Sequence, residues 1–145
     1  MEDSRTFQSN LRTGLIYDER MLLHRDEERY ETGVCQIEIP ERMSSIYDKF
    51  RSYGLTARCD MIGARPATQE EIKVFHDQHL VDKMTTLKSA VEESESKKVM
   101  KELRDTHDGV YFNDDTWEAA HLAAGGSIDA VDKVWRLLKG TWYEY

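Results

Sequence analysis

Apolar positions along the chain follow two different periods, and their alternation predicts the elements. The run TGLIYD, Thr13 to Asp18, is short, apolar and closed by an acid, the pattern of a buried strand that hands over to a loop. Residues 19–39 are dense in charge with no clean period and predict a long loop, a length that in compact domains goes with function or disorder. Pro40 then suits a first helical position, and Met43, Ile46, Tyr47 and Phe50 recur at i, i+3, i+4 and i+7. Gly54 is placed to stop this helix in the left-handed conformation, with Leu55 closing a Schellman cap. RCDMIGA, Arg58 to Ala64, reads as a second short strand interrupted at Gly63.

Thr68 and Glu71 have the spacing of a capping box, and Ile72, Phe75 and Leu80 continue an apolar face over one helix or a pair reaching about Lys88. Glu92 to Asp105 is highly charged and predicts an exposed flanking helix with only Val99, Met100 and Leu103 turned inward. Val110 to Phe112 predicts a brief extended piece. Asp115 with Glu118 offers a second capping box, opening a helix to Leu138. On it Trp117, Ala124, Ile128, Val131, Trp135 and Leu138 fall within a narrow arc at about 100° per residue, which predicts that this arc is buried. Gly125 and Gly126 sit inside that helix at about 1 kcal/mol each relative to alanine, so another backbone is expected to approach closely there. Strands alternating with helices, without internal repeats, predict α/β organisation.

The length of 145 residues suits one domain, expected over 13–145 behind a flexible polar tail at 1–12. A formal charge of -8 argues against non-specific grip on nucleic acid or an anionic membrane, since both require a basic surface. The sequence has no run of about eighteen apolar residues and no secretory signal at its start, and it is expected to be intracellular, nuclear or cytoplasmic. Cys35 and Cys59 form no C-x-x-C pair, which predicts reduced thiols.

Candidate chemistry is sparse. Glu118 and His121 have the Glu-x-x-His spacing of di-metal helix bundles, but no second such pair exists, so His121 is expected to be a core histidine bonded to a backbone carbonyl. His76 and His79, in FHDQH, lack the glutamate and the i+4 spacing of zinc proteases; one packed and one exposed histidine is expected. There is no G-x-S-x-G elbow, and Gly125-Gly126 lies inside a helix where its amides are already paired and hold no phosphate.

Several stretches taken in order resemble the N-terminal part of the class II zinc-dependent histone deacetylases. TGLIYDERMLLH resembles their first strand and the entry to the loop that rims the substrate tunnel. PERMSSIYDKFRSYGLTARCDMIGARPATQEEIKVFHD resembles the helix, "GL…RC" turn, strand and "A-R-x-A-T-x-E-E" segment that follow. THDGVYFNDDTWEAAHLAAGGSIDAVDKV resembles the "T-Y-D-S-V-Y…A-x-L-A-A-G" loop and inner helix. The resemblance spans about Thr13 to Gly140.

It implies a partial deacetylase-like α/β domain, helix-rich, with a few short parallel strands flanked by helices. It places His24, Asp108 and Gly109 at the substrate rim, Gly109 standing where many relatives carry a serine or aspartate that grips the substrate backbone. The family's zinc ligands, histidine pair and oxyanion tyrosine follow the inner helix. The sequence holds neither "R-P-P-G-H-H" nor "D-x-D-x-H-H-G", so no catalytic residue and no metal ligand is expected in it, and zinc only in a full-length relative. An unfinished sheet implies an open edge covered by a second copy or a partner protein, with Trp117, Trp135, Trp142 and Tyr143 as interface candidates. The expectation is a non-catalytic interaction or oligomerisation module; the alternative is a fragment or short isoform of a true lysine deacetylase.

Overall fold

The computed structural model describes residues 12–26, 38–89, 93–106 and 110–139, and the architecture below refers to these. Strand β1, Thr13–Ile16, pairs in parallel with β2, Cys59–Ile62, in the register Thr13↔Cys59 to Ile16↔Ile62. Arg12 anchors the start of the pair. Its guanidinium donates to the carbonyls of Ala57 at 2.6 Å and Cys59 at 2.9 Å and lies 3.3 Å from the Asp60 carboxylate. After β1 the chain tightens into a 3₁₀ turn, Glu19–Leu23, where a featureless loop is expected from the sequence. The Asp18 side chain accepts from the Arg20 N–H at 3.0 Å and starts that turn.

Helix α1, Pro40–Ser52, crosses over between the strands and begins on proline. Gly54 takes φ +66, and the Gly54 and Leu55 N–H groups donate to Arg51 O and Phe50 O, the two bonds of a Schellman cap. Of the apolar positions on α1, Tyr47 stacks on Tyr17 with ring centroids 3.8 Å apart, whereas Ile46 is exposed. A 3₁₀ turn, Thr56–Arg58, leads directly into β2.

The capping box at Thr68 forms in full and opens the short helix α2, Gln69–Lys73. The chain bends at 74–77, and Asp77 Oδ1 accepts from the Leu80 N–H at 2.8 Å to launch α3, Gln78–Ser89. The break explains why Phe75 does not continue the apolar face: it sits on the bend, exposed. Helix α4, Glu93–Thr106, lies against α3, with Leu103 buried beside Met84 and with Val99 and Met100 packed around them. Residues 110–112 belong to no helix and no strand, where a brief extended piece is expected from the sequence.

Helix α5, Thr116–Lys139, is the longest element, and its two halves differ. The first half is buried through Ala119, His121, Leu122, Gly125 and Gly126. A Cβ on Gly125 would stand 2.2 Å from Arg65 O and 2.6 Å from Ala67 N, and the Ala67 N–H donates to His121 O at 2.8 Å. One on Gly126 would stand 3.1 Å from the Ile16 side chain of β1. The close backbone expected from the glycine pair is therefore the strand-to-helix segment 65–67. The expected buried arc is corrected in the second half: Ile128 is borderline, and Val131 and Trp135 are 71% and 56% exposed, the close contacts with segment 65–67 and Ile16 being made at Gly125 and Gly126 in the first half. The Leu138 side chain lies outside the described residues.

Arg65 ties segment and helix together, with Nε donating to Asp129 Oδ1 at 2.9 Å and both terminal nitrogens donating to the Glu71 carboxylate at 2.8 Å. Hydrogen bonds from Arg65, then from the Thr68 N–H, hold the Glu71 carboxyl down to about 2 from an ordinary 4.5. A carboxylate whose folded value is depressed contributes stability above its unfolded value, and that stability is lost as pH falls from about 4.5 toward about 2. Urea unfolding at pH 7 and pH 3 is expected to show a larger acid-induced loss in wild type than in Glu71→Gln. Asp18 and Glu102, whose values are also lowered, contribute equally to both proteins and cancel in the comparison.

Candidate functional site

At the carboxyl end of β1 the 3₁₀ turn, the start of α1 and the start of α5 enclose a cleft of about 480 Å³. His24 follows the turn directly and is half-buried there. Its Nδ1 lies 2.9 Å from Thr116 Oγ1, and its ring stacks on Tyr111 at 4.5 Å. The buried Thr116 hydroxyl donates to Asn113 Oδ1 at 3.0 Å and accepts from the Asn113 N–H at 2.8 Å. With that proton directed to Asn113, His24 Nδ1 is the donor to Thr116, and Nε2 carries the lone pair. Asn113 Nδ2 in turn donates to Leu23 O at 2.7 Å, so one asparagine holds both the turn and the helix start.

Burial pushes the His24 value below 6.5, partly opposed by a side-chain hydrogen bond to Asn113, and the imidazole is neutral near pH 7. Burial also raises Tyr111, and the nearby acids Asp26, Glu38 and Glu41 add to it, so its phenol stays protonated. Tyr111 donates from that phenol to Glu38 O at 3.3 Å. The cleft thus presents a neutral histidine and a phenol on an apolar floor of Met21, Ile39, Met43 and Phe112.

Asn113, Thr116 and Tyr111 were not singled out by the sequence reading. The signal was present as N-x-x-T ahead of an apolar helix, but Asp115 and Glu118 offered a competing capping box. In the structure the start of α5 is built by Asn113 and Thr116, and Glu118 lies 3.5 Å from Arg20 instead. Of the rim residues named from sequence, His24 lines this cleft, while Asp108 and Gly109 lie outside the described residues. Of the interface candidates, Trp117 is half-buried and Trp135 exposed, and Trp142 and Tyr143 lie outside the described residues.

His121 is buried with Nδ1 2.9 Å from Trp117 O, the carbonyl-bonded core histidine expected from sequence. His76 and His79 are both exposed, where one packed and one exposed were expected: the bend at 74–77 turns His76 outward. Among the described residues no group of three or more His, Cys, Asp or Glu is placed to hold a metal ion, and no helix is long and apolar enough to cross a membrane.

A parallel strand pair joined through a helix, with a glycine-paired inner helix seated on β1 and on segment 65–67, defines a partial α/β domain of the deacetylase type. The structure of the HDA15 HD domain matches it with a TM-score of 0.59 at 26% identity, over 81% of this chain and 30% of that one. The histone deacetylase domain model matches residues 36–142, and the chain belongs to that family. It is similar to human polyamine deacetylase HDAC10, 35% identical over 84% of this chain, and to Arabidopsis thaliana histone deacetylase 18, 30% identical over 88%. The chain spans 17% of the length of each of these two relatives.

Proposed function

We propose that this chain is a non-catalytic scaffold of the class II deacetylase type that works as an interaction module, either self-associating or docking on a partner protein. The observation that carries the reading is the division of α5. Its first half is seated on the strands and the 65–67 segment, while the second half presents Ile128, Val131, Val134, Trp135 and Leu137 to solvent. Exposed apolar side chains of this kind, together with a sheet that has two strands among the described residues, favour a covering polypeptide. The zinc of the family does not fit the described side chains, which offer no three-ligand set.

The second reading is that the chain is part of a longer lysine or polyamine deacetylase whose remaining sequence covers the same face, favoured by the small share of its relatives that it spans. The cleft at His24 would then belong to the rim of the substrate tunnel. Light scattering at tens of micromolar combined with a metal assay separates the readings. Under the first, the chain is zinc-free, releases no acetate from acetyl-lysine peptide, and associates or binds an apolar dye. A strictly monomeric chain without dye binding counts against the module, and stoichiometric zinc or acetate release overturns it. A transcript continuing into a Gly-His-His segment establishes the second.

A further inference from the structure

A second cavity, about 350 Å³, is lined by residues of α2, α3, α4 and α5 and shares Val110 and Phe112 with the first. Its walls are apolar, with Met84, Leu103, Phe112 and Trp117 among them, and among the described residues no Asp, Glu, Lys or Arg lines it. The titratable side chains among its described lining are two histidines, the exposed His76 and the buried His121. His121 is only 8% exposed. The Trp117 carbonyl can only accept, so His121 Nδ1 carries the hydrogen, and in the neutral ring Nε2 holds a lone pair. Among the described residues Nε2 has no hydrogen-bond partner. A buried acceptor left unmatched costs free energy that a ligand donor recovers.

We propose that this cavity is a binding site for a compact, neutral, largely aromatic molecule carrying one O–H or N–H, with His121 Nε2 as the acceptor that orients it. A charged ligand is disfavoured because no lining side chain of opposite sign compensates its lost hydration. The Trp117 indole, whose ring centroid is 3.9 Å from that of His121, provides the aromatic wall against which such a ring packs. The volume lies within the range usual for small-molecule sites, and the apolar lining with a few polar groups matches their ordinary composition.

The test is calorimetric titration of the full chain with 1-naphthol and with naphthalene, which differ only in the donor. 1-Naphthol is expected to bind saturably, quench part of the tryptophan fluorescence and exceed naphthalene in affinity about five-fold, the worth of one hydrogen bond. His121→Phe is expected to abolish that preference while retaining naphthalene binding. Ala124→Phe, which projects a ring into the cavity while leaving His121 in place, is expected to weaken both probes about ten-fold or more. Absence of saturable 1-naphthol binding to wild type, equal affinity for the two probes, or undiminished binding to Ala124→Phe would each overturn the proposal.

Discussion

Gly125→Ala is expected to destabilise the fold by about 3 kcal/mol or more, as overpacking against immobile atoms does at the upper end of its range. The added methyl would stand 2.2 Å from a carbonyl oxygen and 2.6 Å from an amide nitrogen, and neither belongs to a flexible side chain that can swing away. Relief requires moving segment 65–67 off the helix. That also lengthens the Ala67 N–H to His121 O bond and shifts Arg65 from Asp129 and Glu71. The gain in helix propensity, about 1 kcal/mol, works in the opposite direction and is smaller. Gly63→Ala is the control: nothing lies within 4 Å of its new methyl, and a change within about 0.5 kcal/mol is expected. Urea unfolding of the three proteins decides it, and equal midpoints for wild type and Gly125→Ala would refute the close approach.

Leu103→Ala is expected to cost about 2–5 kcal/mol, the span found for a buried leucine truncated in a packed interior. Leu103 is 2% exposed and is the one residue of α4 classed as buried among those whose side chains are described. Its partner Met84 and the surrounding Leu80, Val99, Met100, Phe112 and Trp117 join α3, α4 and α5. The surface tie between α3 and α4, Lys83 to Glu102 at 2.9 Å, is an exposed pair screened by solvent, too weak to replace the leucine. Hydrogen exchange should show the loss concentrated in α4 and the facing turns of α3, with the β1–β2 pair less affected. Val131→Ala, at a 71% exposed position, is expected to leave the isolated chain nearly unchanged.

The elements whose signals are local were legible in the sequence. Pro40 starts its helix through its fixed φ, and Gly54 and the Thr68–Glu71 box fix helix ends through hydrogen bonds spanning a few residues, each forming as its spacing requires. Gly125-Gly126 was legible for a related reason, since a helix tolerates two adjacent glycines only where something else occupies the space. What the sequence concealed depends on partners distant along the chain. The arc from Ile128 to Trp135 has the period of a buried face, and periodicity states that a face is apolar without stating whether a partner is present. The cleft was half legible: the resemblance pointed to His24, but its pairing with Thr116, 92 residues on, rests on which of two overlapping capping patterns starts α5.

The pairing of β1 with β2 has a kinetic corollary. Thr13 meets Cys59 only when the 45 intervening residues are brought round, whereas α3 meets α4 through a short connection. Long-range parallel contacts are rewarded only after their closure entropy has been met, so the α3–α4 hairpin should form first and the strands should zip last. During synthesis both strands would therefore emerge and wait as single extended segments, a window in which a chaperone or a neighbouring nascent chain could reach their open hydrogen-bonding edges before they find each other.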